Sequence, residues 1–175
     1  DKISFQVMNA CEFGNIPQNR ERIYIVAFRD KKDFEKFRMP MPIPLKKKIK
    51  DIFEFEEKVE DKYYYTKGKY KDEMYNMLVS EMTDESTVYQ WRRKYVRKNQ
   101  SKLVPTLTAN MGEGGHNVPL IKTKFGIRKL KPIEYFYAQG YPKNYKLPED
   151  MSDAKLYKQG GNSVAVPVIT RIAEN

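Results

Sequence analysis

The fold is decided by a run that sets two arginines one residue apart at the start of a strongly β-forming segment, Pro17-Gln18-Asn19-Arg20-Glu21-Arg22-Ile23-Tyr24-Ile25-Val26. Side chains in a strand alternate between its two faces. Gln18, Arg20 and Arg22 are therefore expected on one face, and the isoleucines are expected to pack on the other. A guanidinium keeps its charge and donates several hydrogen bonds in one plane, which suits a phosphate or a base carbonyl oxygen. An isolated Arg-x-Arg pair is more often the charged edge of a sheet. Features elsewhere in the chain are therefore needed to distinguish a ligand-binding pair from a sheet edge.

The composition of this 175-residue chain indicates an anionic partner. It has 33 Lys and Arg against 23 Asp and Glu, a formal net charge of +10, and 13% aromatic residues. Nucleic acid is the first candidate, and a lysine-rich protein without such a partner is the alternative. One cysteine and one histidine cannot build a disulfide framework or a Cys/His metal cluster within the chain, so we expect no metal site.

Compartment and completeness are also predicted from the sequence. No apolar run approaches the ~20 residues that span a bilayer, and no signal segment opens the chain. The low cysteine content fits a cytosolic setting. The chain begins at Asp1 and enters a strand-like run at once, so we expect a piece of a longer protein.

The first half of the chain predicts two units joined by a strap. Residues 3–8 and 21–28 are strand-like and are expected to pair antiparallel through a long loop. Three prolines within residues 39–44 indicate a strap or hinge. Residues 45–60 and 70–79 carry apolar residues at helical spacing and predict two helices, the second with a stripe that packs in the core. The run Lys46-Lys47-Lys48 is typical of a solvated face, with DNA backbone contact as the alternative.

From Val88 the sequence becomes basic and aromatic. There are six basic residues and no acidic residue between Tyr89 and Lys102. Alternating aromatic and guanidinium groups are expected where phosphates are neutralised and bases are contacted. A solvated edge strand is the alternative. If this segment forms one strand, the side chains on one of its faces are Tyr89, Trp91, Arg93, Tyr95 and Arg97.

Residues 105–119 form a polar segment that is rich in glycine. Gly112, Gly114 and Gly115 permit positive φ angles and a close approach of backbone to a ligand. Threonine and asparagine side chains around them can bond to base edges or phosphates. A plain hairpin connection is the usual explanation for such a loop, and His116 is predicted to be a loop donor.

The last third predicts three helices. Pro132 suits a first helical turn, and Gly140 suits the end of that helix. A second helix is expected over 153–159, ended by Gly160-Gly161. Asn162-Ser163 is then expected to cap the final helix, where a helix N-terminus can bind a carboxylate or a phosphate. Ordinary capping explains the same pattern equally well.

Three separated blocks resemble DNA cytosine-5 methyltransferases, in that family's order. The run 17–22 resembles the family's eighth signature block (VIII). Residues 128–134, continuing to Gln139-Gly140-Tyr141-Pro142, resemble the ninth (IX), and residues 157–167 resemble the tenth (X). Between the eighth and ninth blocks the family carries a variable target-recognition domain, which ends in a Thr-Leu pair similar to Thr106-Leu107. Lys131 and Ile133 depart from the ninth block, where Thr and Arg are common.

The resemblance implies a mechanism and a cofactor. In the family a cysteine thiolate adds to C6 of a cytosine flipped out of the duplex, and C5 takes a methyl group from S-adenosyl-L-methionine. The resemblance implies that Arg22 contacts the carbonyl oxygen of that cytosine, and that Arg20 and Gln18 support Arg22 in this role. Cofactor contacts are expected from Asn162, Ser163 and Val164. Contacts to double-stranded DNA are expected from Tyr89, Trp91, Arg92, Arg93, Tyr95, Arg97, Thr106, Leu107, Thr108, Asn110, Gly112, Gly114, Gly115 and His116.

The resemblance covers only the second half of such an enzyme. The family's Phe-x-Gly-x-Gly, Pro-Cys and Glu-Asn-Val blocks are absent from this sequence, and Cys11 lies between Ala10 and Glu12 rather than after a proline. We therefore expect a C-terminal fragment that is inactive alone, completed by an N-terminal catalytic half in the cytoplasm of a bacterium or phage host, at the nucleoid. The alternatives are a non-catalytic DNA-binding module and a relative that methylates tRNA.

The expected fold class is α/β. Residues 1–48 and 128–175 would be C-terminal pieces of an S-adenosylmethionine-dependent methyltransferase sheet domain, and residues 49–127 would be a small, mostly β target-recognition domain. The orphaned sheet would expose Ile23, Ile25 and Val168, which favours self-association of the fragment.

Overall fold

The computed structural model describes residues 2–112 and 117–175. Its helices and strands are, in chain order, β1 (Ile3–Asn9), α1 (Ala10–Phe13), β2 (Glu21–Ala27), α2 (Lys31–Lys36), α3 (Asp72–Glu81), β3 (Tyr89–Trp91), β4 (Val96–Lys98), β5 (Pro119–Thr123), β6 (Gly126–Lys129), α4 (Pro132–Ala138), α5 (Asp153–Asn162) and α6 (Val166–Ala173). Two 3-10 turns lie at Ile49–Asp51 and Asp61–Tyr63. None of the helices in these two ranges is long and apolar enough to cross a membrane.

Strands β1 and β2 form a two-stranded antiparallel sheet, which confirms the predicted pair. The connection between them begins with the short helix α1, and β2 begins only at Glu21. Gln18 and Arg20 therefore precede the strand, and the prediction that they share a strand face with Arg22 is wrong. Backbone bonds with Val104 hold this segment instead, since Val104 N–H donates to Pro17 O at 2.7 Å and Val104 O accepts the N–H of Asn19 at 2.8 Å.

A second sheet has the strand order β4-β3-β5-β6, with every pair antiparallel. The prediction of one strand through residues 88–97 is wrong, because the chain reverses between β3 and β4 with Arg93 at a φ of 64°. Across this hairpin Trp91 pairs with Val96, and Gln90 pairs with Arg97. Arg97 therefore lies on the opposite face from Trp91. The predicted domain boundary between residues 127 and 128 falls within β6.

Helix α3 packs on the second sheet, and the predicted helix over 70–79 is confirmed with its boundaries shifted by two residues. Leu78 is fully buried there with Met82 and Tyr89, and Met74 packs against them. The apolar stripe is therefore core, as its spacing predicts.

The helix predicted over residues 45–60 is wrong, since the segment contains only a 3-10 turn. After that turn, several backbone amides bond to carboxylates instead of to helical carbonyls. Glu54 N–H donates to Glu134, and the amides of Glu56 and Glu57 donate to the Glu54 carboxylate. Of the four apolar positions at helical spacing, Ile49, Ile52 and Phe53 are buried and Leu45 is 38% exposed. The spacing thus identified most of the buried positions without fixing the backbone conformation.

The C-terminal helices confirm some boundaries and correct others. Helix α4 begins at Pro132, and Gly140 follows its end with a φ of 83°. Helix α5 continues through the glycine pair to Asn162, so the predicted stop there is wrong. The glycines serve close packing, since a Cβ at Gly161 would lie 2.4 Å from the carbonyl carbon of Thr108.

Helix α6 begins two residues later than an Asn162-Ser163 cap requires. Its first helical residue is Val166, and Ala165 is at its N-cap. The predicted N-terminal position of Asn162 and Ser163 is therefore wrong, because both belong to the end of α5. Pro167 lies in the first turn of α6, as predicted, because proline is tolerated in a helix only in its first turn.

One face of the first sheet is apolar and exposed. Phe5 and Ile25 are paired across the strands and are 69% and 64% exposed, and Val7 pairs with Ile23 on the same face. The prediction of exposed isoleucines is confirmed. The prediction for Val168 is wrong, because this side chain is fully buried in a cluster with residues of β1 and α1.

Candidate active site and DNA-recognition surface

Gln18 is a fully buried polar residue at the centre of the molecule. Its side-chain amide donates to Ala138 O at 2.5 Å, and its amide oxygen accepts the N–H of Leu107 at 3.3 Å. A buried amide is stable only when both of its ends are bonded. Gln18 therefore ties the loop before β2 to the end of α4 and to the Thr106-Leu107 pair.

Arg20 is also buried, with 5% of its surface exposed. Its guanidinium donates to Leu107 O at 2.9 Å, to Ser163 O at 2.7 Å and to Gly161 O at 3.2 Å. Burial lowers the pKa of Arg20, and the nearby charge of Arg22 lowers it further. With three carbonyl oxygens as partners, Arg20 holds three chain segments together, and we call this arrangement the Arg20 clamp.

Arg22 differs from Arg20 in both its exposure and its hydrogen-bond partners. It is exposed, it lies at the start of β2 opposite Met8, and its recorded hydrogen bond goes to the adjacent Glu21 O at 2.6 Å. In the described ranges it forms no salt bridge. A guanidinium has five N–H donors, so most of those on Arg22 remain available to an incoming group.

Ser163, Asn162 and Val164 lie at the end of α5, beside the clamp. The Ser163 hydroxyl shares a hydrogen bond of 2.8 Å with the Tyr141 hydroxyl, while Asn162 and Val164 are exposed. An open groove of about 560 Å³ borders Asn162 and Ser163, and its other lining residues are Phe136, Tyr141, Tyr145, Lys155, Lys158 and Gln159.

The aromatic wall of this groove was not predicted as part of a site. The rings of Tyr141 and Tyr145 are 4.7 Å apart between centroids, and both contact Phe136. The sequence feature that could have predicted this wall is Tyr141, which follows Gly140 in the run that resembles the ninth block. Aromatic faces beside lysines can hold a ligand that combines a ring, a cation and a carboxylate.

The predicted DNA contacts separate into exposed and buried residues. Arg93, Arg97, Thr108 and Asn110 are exposed, and so is Tyr95 at 54%. Trp91, Arg92 and Thr106 are half-buried; Arg92 donates to the side chain of Asn117, and Thr106 donates to Asn19 O at 2.6 Å. Gly114, Gly115 and His116 lie outside the described residues.

Three of the predicted DNA contacts are buried against protein. Tyr89 is 1% exposed, and its hydroxyl accepts the N–H of Asp84 at 2.9 Å. Leu107 is fully buried, and a Cβ at Gly112 would lie 2.0 Å from the ring of Tyr157. Burial therefore removes these three residues from any surface that DNA could contact.

A buried ion pair was not predicted. Arg128 and Glu134 are 0% and 1% exposed and form two parallel hydrogen bonds of 2.7 Å. The carboxylate also accepts the N–H of Glu54 at 2.8 Å and of Lys131 at 2.6 Å. This bidentate pair thereby fixes the segment around Glu54 to β6 and α4. Both residues lie in the ninth-block run, but their burial cannot be inferred from spacing.

Cys11 shows no sign of an activated nucleophile. Burial and the neighbouring Glu12 raise the pKa of its thiol. A thiolate is the reactive form, so this environment opposes nucleophilic attack. Among the residues described, no group of three or more His, Cys, Asp or Glu side chains could hold a metal ion.

Comparisons with known proteins identify the family of this chain. The family model for C-5 cytosine-specific DNA methylase matches residues 2–175. The Type II methyltransferase M.Bsp6I of Bacillus sp. (strain RFL6) is 59% identical over 173 residues, which cover 99% of this chain and 54% of that protein. M.SsoII of Shigella sonnei is 33% identical, over 98% of this chain and 43% of that protein.

Solved structures show the same fold. A DNMT2 variant from Spodoptera frugiperda gives a TM-score of 0.65 at 18% identity, covering 99% of this chain and 57% of that one. Dnmt2 of S. pombe gives a TM-score of 0.62 at 15% identity, covering 98% and 56%. The chain thus spans about half the length of the relatives it matches. The family match over residues 2–175, together with the shared fold, shows that this chain belongs to the C-5 cytosine-specific DNA methylase family.

Proposed function

We propose that this chain is the C-terminal half of a site-specific DNA cytosine-5 methyltransferase, and that it supplies target recognition and the cation that stabilises the reacting cytosine. The Arg20 clamp carries this proposal. It joins the eighth-block run to Leu107 and to the end of α5, and it leaves the neighbouring Arg22 exposed. One arginine of the pair thus builds the site, and the other is available to a substrate.

The proposed role of Arg22 follows from the charge that develops during attack. When a thiolate adds to C6 of cytosine, electron density moves toward the ring carbonyl oxygen. A fixed cation at that oxygen stabilises the transition state more than the ground state. The pairing of Arg22 with Met8 fixes the backbone from which its guanidinium extends.

S-adenosyl-L-methionine is the expected cofactor of the family, and it would supply the methyl group. The groove beside Ser163 fits this molecule, since it offers aromatic faces for a ring and lysines for a carboxylate. We propose that Asn162, Ser163 and Val164 contact the cofactor, with Tyr141 orienting the Ser163 hydroxyl. Lys155 and Lys158 would bring positive charge to its carboxylate.

The proposed recognition domain is residues 49–127, and its DNA-facing part is the β3–β4 hairpin with the segment around Asn110. Arg93, Tyr95 and Arg97 are exposed there, and guanidinium groups are well suited to phosphates and to guanine edges in the major groove. Arg92, Thr106 and Thr108 would extend this surface, whereas Trp91 packs against the buried cluster on the other face of the hairpin. Tyr89, Leu107 and Gly112 are excluded from it because they are buried.

The nucleophile would come from an N-terminal half that carries the Pro-Cys block. Its motifs are missing from this sequence, and the matched relatives are about twice as long as this chain. The complete enzyme would act in the bacterial cytoplasm on nucleoid DNA, as the modifying partner of a restriction system.

Radiolabelled methyl transfer tests the proposal. This chain is incubated with labelled S-adenosyl-L-methionine and duplex DNA, alone and together with the upstream half of the Bacillus relative. We expect no labelled DNA from the chain alone and labelled duplex when both halves are present. Labelling by the chain alone would contradict the proposal, as would labelling of tRNA in preference to duplex DNA in a mixture of the two.

A further inference from the structure

A lysine-lined groove lies next to the proposed site and is separate from the groove beside Ser163. It has a volume of about 320 Å³ and runs between the end of the proline strap and the loop that follows β4. Lys46, Lys47, Lys48 and Lys50 form one rim, and Lys102 lies on the other beside Ser101. Two segments that are about 50 residues apart in the sequence therefore bring five ammonium groups together.

These five lysines have no carboxylate partner within the part of the chain that the structure describes, and the Lys50 ammonium lies over the ring of Phe55 at 5.5 Å. Other lysines of the protein do form salt bridges, as Lys98 does with Asp84 at 2.9 Å. None of the five in the groove forms one. The nearest carboxylate along the chain, on Asp51, accepts the backbone N–H of Lys48 at 2.7 Å. Clustered like charges repel each other unless an anion lies between them.

The backbone under both rims is held in place. The Asn15 side-chain oxygen accepts the N–H groups of Lys46 and Lys47 at 2.7 and 3.2 Å. On the other rim, Asn99 bonds to Leu103 O, and its own carbonyl accepts the Thr87 hydroxyl. Lys102 has a φ of 56°, a conformation that a lysine rarely adopts without support from its surroundings. The groove is therefore a formed feature rather than a chance approach of mobile side chains.

The groove opens directly beside the clamp segment. Pro17 lines it and precedes Gln18, and Leu103 lines it and precedes Val104. Gln18 and Val104 are paired by a β-bridge. An anion in the groove would therefore lie next to the segment that positions Arg20 and Arg22.

We propose that this groove binds phosphates of the duplex DNA backbone beside the target cytosine. Lysines and serine hydroxyls suit phosphate oxygens, and none of the groove's lining side chains is aromatic, so the groove offers no surface on which a base could stack. The contact between lysines and phosphates is thus independent of the DNA sequence, and it positions the duplex. The β3–β4 hairpin would contact the bases and supply sequence specificity. This inference rests on the proposed function and adds a second attachment point to it.

The salt dependence of duplex binding tests the groove. Binding of the 175-residue chain to a labelled duplex is measured by fluorescence anisotropy over a series of salt concentrations. The Lys46→Gln/Lys47→Gln/Lys48→Gln variant is expected to lower the slope of log K against log salt by about 2 to 3, because each lost phosphate contact removes roughly 0.9. Lys102→Gln should lower it by about 0.9.

The matched control removes the same charge elsewhere. Lys31, Lys32 and Lys36 are exposed on α2, and their triple glutamine variant should keep the wild-type slope. Circular dichroism confirms that each variant is folded. Equal slopes for the two triple variants, with duplex binding retained, would overturn the groove and leave the proposed function standing. A wild-type chain that binds no duplex at all would overturn both.

Discussion

At the scale of single residues, Arg20 and Arg22 show how one short motif serves two purposes. The sequence predicts that both arginines matter, because guanidinium groups next to a β-forming run suit an anion or a carbonyl oxygen. It cannot predict which arginine is buried, since that depends on β2 beginning at Glu21. The carbonyl partners of Arg20 lie about 90 and 140 residues away in the sequence. Such contacts follow from the fold and not from local spacing.

The two arginines should differ sharply in their effect on stability. Arg20→Ala leaves three carbonyl oxygens without their donor, so we expect the free energy of unfolding to fall by about 3 kcal/mol. Arg22→Ala removes an exposed side chain and should change the free energy of unfolding by less than about 0.5 kcal/mol. Urea denaturation of both variants measures the difference. Equal losses would show that the Arg20 clamp does not hold these segments together.

At the scale of elements, apolar spacing predicts buried positions better than it predicts backbone form. The pair β1–β2 and helix α3 follow their patterns, because local periodicity and tertiary packing agree there. In residues 45–60 most of the apolar side chains are buried, but the chain makes only a 3-10 turn, and the amides of Glu54, Glu56 and Glu57 then bond to glutamate carboxylates. Gly160 and Gly161 do not end α5. Glycine is needed at position 161 because the helix packs too closely on its neighbours for any side chain there.

Asp84 lies between α3 and β3 and forms a salt bridge with Lys98 of β4, so its carboxylate makes the stability of this region depend on pH. Hydrogen bonds from Ser86, and then the ammonium of Lys98, hold the pKa of Asp84 well below its usual range. Above the unfolded-state pKa of about 3.9 this stabilisation is complete, and below it the unfolded chain takes up the proton first. Stability from Asp84 is therefore lost as the pH falls below that value.

The variant Asp84→Asn isolates this contribution. We expect wild type to lose more of its free energy of unfolding than Asp84→Asn does between about pH 7 and about pH 3, since the other carboxylates are common to both proteins. Urea denaturation at a series of pH values gives the two profiles. Parallel profiles would mean that the carboxylate is not stabilised in the folded hairpin.

At the scale of the whole molecule, the exposed face of β1 and β2 stands out. Ile3, Phe5, Val7, Ile23 and Ile25 are all more than half exposed and lie on one face of a two-stranded sheet. An apolar face of this kind is typical of a surface that another element covers. We infer that the N-terminal half of the enzyme covers it, in line with the chain's coverage of about half of each relative.

Without that half, the chain should associate with itself through this face. The Phe5→Thr/Ile25→Thr variant keeps β-forming residues in both strands while removing apolar surface. We expect sedimentation velocity to show concentration-dependent association of wild type and a lower average mass for the variant. Val79 is 50% exposed on α3, so Val79→Thr serves as the control and should behave like wild type. A variant that associates as strongly as wild type would place the contact elsewhere.

Bisulfite sequencing of duplex DNA treated with the full-length protein tests the central claim most directly. The wild-type protein should leave cytosines unconverted at one short recognition sequence. The Arg22→Ala form should do so at least about 100-fold more slowly, since a preorganised donor to the developing charge contributes roughly that factor. Complete conversion of every cytosine after wild-type treatment, or undiminished protection by Arg22→Ala, would contradict this account.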